Sequence, residues 1–192
     1  RENCTGPLTH AAFQAAMHVA KRIANETAIH RKRVSIPSVA VGDFASQFFE
    51  RFDDKSVLVI GAGAMGEETL RYLIDLRVTD IKITNRNPER AEELALSTAG
   101  TAYPWEELDH LLVDADLVVS TTGANEPVVT CERFKSISSR RFQRPLFVLD
   151  LAVPRDFDPA IGDFLGVYLY SLDDLQQVCE VNRAARDREW PM

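Results

Sequence analysis

The chain has 192 residues, of which 45% are hydrophobic, so it is long and apolar enough to form a packed core. Its formal net charge of −7 provides no general attraction for nucleic acid, and no apolar run approaches the roughly 18 residues that span a bilayer. Three cysteines without metal-ligand or disulfide spacing indicate a reducing compartment. We therefore expect a cytoplasmic protein with no membrane segment and no metal.

The first fifty residues predict two helices. LTHAAFQAAMHVAKRIANET has apolar residues at helical spacing, and Thr9 is placed to cap that helix. An irregular connection containing Pro37 follows. We expect the second helix to be capped by Ser38 and to extend its apolar stripe to Phe52.

From Lys55 onward, short apolar blocks alternate with helical patterns. The blocks are SVLVIG, DIKITN, DLVVSTTG and PLFVLDLAV, followed by a short strand ending near Tyr170. Ser171 then caps a last helix, which is polar beyond Val181. This order predicts an α/β fold: a Rossmann-like doubly wound parallel sheet with flanking helices at both termini. Because the first residue is Arg1, we expect the chain to be a fragment.

A glycine-rich loop stands between the first predicted strand and the following helix. Gly61, Gly63 and Gly66 form G-x-G-x-x-G, a pattern that allows a tight turn and a close approach to a pyrophosphate. The helix start then favours the negative phosphates. We expect the loop to bind a dinucleotide through its backbone, although glycines here also serve packing alone. The loop consists of Gly61, Ala62, Gly63, Ala64, Met65 and Gly66.

The end of the second strand predicts which dinucleotide is bound. An NAD site would have an acid there, but this strand ends in Asn85 and Arg86. Arg86 can pair with a 2′-phosphate while its plane covers the adenine, and Arg90 lies one turn into a helix that Asn87 caps. The residues favour NADP over NAD. The alternative is that both arginines are solvated surface residues.

Small polar residues follow the strand DLVVS. Ser120, Thr121, Thr122 and Gly123 would lie at the carboxyl edge of the sheet, where ligands of open α/β sheets bind. They either leave room for the nicotinamide ribose or only form a turn. Asp150, at the end of a later strand, is either catalytic or braces the loop after it.

A proton donor or nucleophile for the chemistry is not evident. None of the four histidines, His10, His18, His30 and His110, has a carboxylate partner in the sequence. Cys131 begins a predicted helix, which could lower its pKa, but no base can be assigned to it, so an inert thiol is the preferred interpretation.

Several motifs together resemble the cofactor domain of the glutamyl-tRNA reductase family. They are IANETAIHRKRVSIPSVAV, VLVIGAGAMGE, ITNRNPERAEELA, VVSTTGANEPV, LDLAVPRDFDP and VYLYSLDDLQ, which cover nearly the whole chain. The resemblance implies NADPH-dependent reduction of glutamyl-tRNA to glutamate-1-semialdehyde, at the start of tetrapyrrole biosynthesis. It assigns the glycine loop to the cofactor, Asn85 and Arg86 to the adenosine phosphate, and Thr122 and Gly123 to the nicotinamide side. Ala64 departs from the glutamate that is frequent in the family.

The resemblance also implies that parts of the whole enzyme, including its nucleophile, lie outside this chain. The family's nucleophile is a cysteine of an amino-terminal domain in an S-T-C-N-R motif, which Cys4 in ENCTG does not match, so we expect no catalytic residue here. Residues 1–34 would be the tail of that catalytic domain, 35–170 the NADP-binding domain, and 171–192 the start of a helix toward a dimerisation domain. The partners implied for the whole enzyme are glutamyl-tRNA and a second copy of itself. The fragment alone would bind NADPH without reducing glutamyl-tRNA.

Other functions remain open at this stage. A shikimate-dehydrogenase-like oxidoreductase also carries a glycine loop and an Asn-Arg pair, but residues 1–52 show no lysine-aspartate pair of a substrate domain. A non-catalytic NADP-binding module is compatible with the acidic charge. The basic run at residues 30–33 either faces tRNA or is a solvated connector.

Overall fold

The computed structural model describes residues 6–26 and 33–189 of the chain. Its centre is a six-stranded parallel sheet with the order β3-β2-β1-β4-β5-β6. The strands are β1 (Ser56–Ile60), β2 (Asp80–Thr84), β3 (Thr101–Tyr103), β4 (Leu117–Ser120), β5 (Leu146–Asp150) and β6 (Val167–Ser171). The helices are α1 (Pro7–Glu26), α2 (Ile36–Val39), α3 (Ser46–Phe48), α4 (Ala64–Asp75), α5 (Pro88–Thr98), α6 (Leu108–Asp114), α7 (Cys131–Arg140) and α8 (Leu172–Glu189).

The sheet has a packed layer on each face. Residues of β1, β4 and β5 are buried at every position, which explains why these strands are nearly continuous apolar runs. Val57 and Val59 pack on one side with Leu70 and Leu73 of α4. Leu58 and Ile60 pack on the other side, in the layer that contains α6 and α7. The predicted doubly wound sheet is therefore confirmed.

The register between the strands determines where the candidate site lies. Ile60 is the partner of Thr84 on one side and of Ser120 on the other, so β1, β2 and β4 end in one row. The strand order also reverses between β1 and β4, and ligands of open α/β sheets bind at such a point. The segments that follow these three strand ends therefore meet at one edge of the sheet.

Most predicted elements are confirmed, and the exceptions have local causes. The three-residue strand β3 was not predicted, because it has no apolar run. Thr9 does not cap α1, which already begins at Pro7. Ser38 is not a cap either: Ser35 precedes α2, since Pro37 fits the first helical turn. The second helix contains a π-helical turn over Ala40–Ala45 and ends at Phe48, four residues before Phe52.

α1 has an apolar stripe that the described part of the chain does not cover. Phe13 is 67% exposed and Met17 is 59% exposed, beside His10, His18 and Lys21 in one shallow groove. The amphipathic helix is confirmed as a helix, but its apolar side faces outward. No described helix has both the length and the hydropathy of a membrane span.

Candidate dinucleotide-binding site

The glycine loop crosses directly over the residue that follows β4. Gly61 has a positive φ of 93°, and a Cβ there would lie 2.9 Å from the carbonyl carbon and oxygen of Thr121. A Cβ on Gly66 would lie 2.7 Å from the Thr121 hydroxyl oxygen. Close packing against Thr121 therefore explains both glycines without any ligand. The glycines alone therefore do not indicate a bound nucleotide.

The start of α4 supplies such groups. Gly63 is its N-cap, has no side chain, and so leaves the first N–H groups of the helix without a side-chain acceptor. Ala64 is exposed at this point, whereas Ala62 and Met65 are half-buried. A helix N-terminus with uncapped amides and no Cβ in front of them fits a phosphate. The loop therefore fits the pyrophosphate of a dinucleotide.

A tight turn follows β2 and connects it to α5. The Asn85 amide nitrogen donates to the Asn87 carbonyl at 2.9 Å, and the Asn87 side chain accepts from the Arg90 N–H at 3.2 Å. Asn87 is therefore the N-cap of α5, as predicted, and Pro88 occupies its first turn. The Asn85 amide group thus shapes the turn that carries Arg86 and Arg90.

Arg86 of this turn and Arg90 of α5 line different grooves. The guanidinium carbon of Arg86 lies 5.4 Å from the ring centre of Trp105, in a groove of about 220 Å³. Arg90 lines a second groove of about 320 Å³ together with Ala62 of the glycine loop and Glu67 of α4. Neither arginine forms an ion pair within the described residues. Both cations are therefore available to an anion at this edge of the sheet.

Carboxylates in the second groove limit where a phosphate can lie. Glu67 accepts a hydrogen bond of 2.6 Å from Arg71, so its charge is paired on α4. Glu93 also lines this groove, further along α5 from Arg90. A phosphate in this groove would thus be favoured beside Arg90.

The turn after β4 is held by one buried carboxylate. Asp156 is completely buried and accepts hydrogen bonds from the Ser120 hydroxyl at 2.6 Å and from the Thr122 N–H at 2.9 Å. The Thr122 hydroxyl also donates to Asp156, and it accepts from the Ala124 N–H at 3.2 Å. Both hydroxyls are therefore used to form the turn. Gly123 is exposed, with nothing within 4 Å of an added Cβ, so the turn leaves open space there.

Asp150 braces the loop after β5. Its carboxylate accepts from the N–H groups of Ala152 and Asp156 at 3.2 Å each and of Phe157 at 2.9 Å. Burial raises the pKa of Asp150 to about 6; the three N–H groups oppose this rise, and the nearby carboxylate of Asp156 adds to it. Of the two roles considered for Asp150, the structure supports the brace.

The histidines and cysteines take no part in these contacts. His10, His18 and His110 are exposed on α1 and α6, while His30 and Cys4 lie outside the described residues. Cys131 begins α7 as predicted, and it packs half-buried against the apolar layer. Burial raises the pKa of Cys179 on α8, with Asp43 adding to the effect. The grooves and hydrogen bonds of the candidate site at this sheet edge include none of these side chains.

Two functional candidates were missed by sequence reasoning. Asp156 was not predicted, because its partners Ser120 and Thr122 are more than thirty positions away. Trp105 was not considered, because it follows the strand that the pattern did not reveal. A tryptophan two residues past a strand end was the only signal available.

Comparisons with known proteins match the fold of this chain. The family described as shikimate / quinate 5-dehydrogenase matches residues 43–178. A glutamyl-tRNA reductase of Rhodopirellula baltica is 48% identical over 187 residues, which are 97% of this chain and 44% of that protein. The chain thus spans less than half the length of this relative.

Two solved structures are similar as well. Glutamyl-tRNA reductase from Methanopyrus kandleri superposes with a TM-score of 0.88 at 34% identity, over 97% of this chain and 47% of that one. The nucleotide-binding domain of glutamyl-tRNA reductase from Thermoplasma volcanium gives a TM-score of 0.61 at 19% identity, over 81% of this chain and 98% of that one. The second likeness shows the fold alone. The chain therefore belongs to the shikimate / quinate 5-dehydrogenase family and, over nearly its whole length, is similar to glutamyl-tRNA reductases.

Proposed function

We propose that this chain is the NADPH-binding part of a cytoplasmic glutamyl-tRNA reductase, which reduces glutamyl-tRNA to glutamate-1-semialdehyde for tetrapyrrole biosynthesis. One observation carries the choice of cofactor. The uncapped N-terminus of α4 lies at the same sheet edge as Arg86 and Arg90, which form no ion pair within the described residues. The helix N-terminus can bind a pyrophosphate, and the arginines can separately bind the 2′-phosphate that distinguishes NADP from NAD.

Each part of the edge has its own task in this proposal. The loop amides hold the pyrophosphate, Arg86 holds the adenosine 2′-phosphate, and Arg90 adds a second positive charge from the other groove. The turn at Thr122 and Gly123, fixed by Asp156, leaves the open space for the nicotinamide ribose. When bound, NADPH supplies the hydride. The residues of this edge bind and orient, and they include no cysteine or histidine, so the nucleophile would come from the rest of the whole protein.

The arrangement of domains is part of the proposal. We place the tail of a catalytic domain at residues 1–34, the NADP-binding domain at 35–170, and the start of a helix toward a dimerisation domain at 171–192. The exposed Phe13 and Met17 of α1 support the first assignment, since such a stripe is normally covered. α8 begins at Leu172, and the carboxylate of Asp174 in its first turn accepts from the Ser171 N–H and hydroxyl at 2.8 and 2.7 Å. In the whole enzyme, glutamyl-tRNA would be the substrate and a second copy the partner.

A shikimate- or quinate-type dehydrogenase is the second candidate, because the matched family carries that description. The match ends at residue 178 and begins at residue 43, however, whereas the similarity to glutamyl-tRNA reductases includes the flanking segments as well. The flanking helices therefore favour the reductase.

The test is a calorimetric titration of the chain with NADPH and with NADH. We expect NADPH to bind about 10- to 100-fold more tightly, as for a phosphate with charge-assisted hydrogen bonds to arginine. Equal affinities, or no binding, would contradict the cofactor assignment. Incubation with glutamyl-tRNA and NADPH should produce no semialdehyde, and turnover would contradict the proposal that the nucleophile lies elsewhere. Reduction of 3-dehydroshikimate by a longer natural form of the protein would favour the second candidate.

A further inference from the structure

Trp105 lies beside Arg86 because of the register between β2 and β3. Thr84 and Tyr103, the last residues of these strands, are direct partners in the parallel ladder. Arg86 and Trp105 each follow two positions later, so the sheet brings them to the same place at its edge. The guanidinium carbon lies 5.4 Å from the ring centre, within the range of a cation–π contact.

This contact fixes the orientation of the Arg86 guanidinium. Arg86 is exposed and forms no ion pair within the described residues, whereas Trp105 is half-buried and packs against the apolar layer of α6. A long flexible cation is thus placed against a fixed ring. Ordering the arginine before a ligand arrives reduces the rotamer entropy lost on binding.

The charges of the groove determine which face of the guanidinium meets a ligand. Glu92 and Glu106 line the same groove as Arg86 and Trp105. Their carboxylates repel a phosphate from inside the groove, so a phosphate meets the guanidinium from the solvent side. The face opposite the indole is then the one that adenine can cover.

We propose that Trp105 is a positioning residue for NADP. It stacks behind Arg86 and orients the guanidinium, so that one face covers the adenine while its N–H groups reach the 2′-phosphate. Trp105 thereby contributes to the preference for NADP over NAD without touching the cofactor. The inference rests on the proposed function, because it requires NADP at this site.

The experiment compares the affinities of NADP⁺ and NAD⁺ for the wild-type chain, Trp105→Leu and Trp105→Tyr. We expect Trp105→Leu to weaken NADP⁺ binding about 3- to 30-fold, since the cation–π contact is lost, and NAD⁺ binding by less than about twofold. Trp105→Tyr keeps a ring and should lie between the wild type and Trp105→Leu. Equal weakening of both nucleotides would show a merely structural role and overturn the inference. Melting curves establish whether each variant is folded. If Trp105→Leu does not fold, the comparison of Trp105→Tyr with the wild type tests the inference.

A double-mutant cycle separates positioning from direct contact. In an Arg86→Ala background, Trp105→Leu should cause no further loss of NADP⁺ affinity, because no guanidinium remains to be oriented. Additive losses would overturn the inference. A wild-type chain that binds NADP⁺ no better than NAD⁺ would contradict the proposed function and this inference together. A wild-type preference that survives intact in Trp105→Leu would contradict the inference alone.

Discussion

At the β2 end of the site Arg86 and Asn87 are exposed, and each side chain is held by a single contact. At the β4 end Ser120 and Asp156 are buried, and the one carboxylate of Asp156 accepts several hydrogen bonds. Arg86 touches one ring and Asn87 caps one N–H. Asp156, by contrast, joins Ser120 and Thr122 from a position with no exposed surface. We infer that the first end can vary to select a nucleotide at little cost in stability, and that the second end fixes the shape of the site and contributes to folding.

The sharpest test of this contrast is Asp156→Ala. The substitution removes the acceptor of the Ser120 hydroxyl and of the Thr122 N–H and hydroxyl, so buried donors lose their partner. We expect the free energy of unfolding to fall by about 3 to 5 kcal/mol in urea denaturation. Asp158→Ala is the matched control in the same loop, since within the described residues the Asp158 side chain accepts one hydrogen bond, from the Ala160 N–H. It should cost about 1 kcal/mol or less. Equal costs would show that Asp156 is not the brace.

The second prediction concerns Asp150 and pH. Burial raises its pKa from 3.8 to about 6 in the folded protein, so ionisation is harder in the folded than in the unfolded state. The stability that the protonated Asp150 contributes is therefore fully present below about pH 4 and is lost as the pH rises to about 6. This loss amounts to at most about 3 kcal/mol of unfolding free energy. Asp150→Asn cannot ionise. Between about pH 4 and pH 6, the free energy of unfolding of the wild type should therefore fall relative to that of Asp150→Asn. A difference that stays constant over this pH range would be evidence against the raised pKa.

The contrast between the two ends also explains what the sequence could reveal. The loop Gly61 to Gly66, the cap at Asn87 and the helix at Cys131 depend on neighbours within a few positions, so local patterns predicted them. The role of Asp156 depends on a contact that spans 34 positions. Trp105 depends on the register of β3, a strand of three residues that carries no apolar run. Patterns in a single sequence reveal neither contacts between distant positions nor the register of so short a strand.

The third prediction tests the exposed end by affinity. Arg86→Ala should weaken NADPH binding by about 10- to 100-fold and NADH binding by only about twofold, because the 2′-phosphate loses a charged partner whereas the adenine loses only a stacking contact. The unfolding free energy should stay within about 0.5 kcal/mol of the wild type, as is usual for exposed side chains. Arg140→Ala removes the same charge from the exposed end of α7 and should change neither quantity. A large loss of stability in Arg86→Ala would remove the distinction between the two ends.

The smallest expected effect is that of Asn87→Ala, and it tests whether the exposed end contributes anything to folding. The side chain satisfies the Arg90 N–H at the start of α5, so its loss should cost about 1 kcal/mol of stability. The Asn87 carbonyl that accepts from Asn85 remains, which keeps the turn and the position of Arg86. NADPH should therefore bind only slightly more weakly, through Arg90. Asn125→Ala, at an exposed asparagine of the β4 end, is the control with no expected change. If Asn87→Ala instead destabilised the chain as much as Asp156→Ala, the turn after β2 would be a brace like the turn after β4, and selectivity would not be separable from folding.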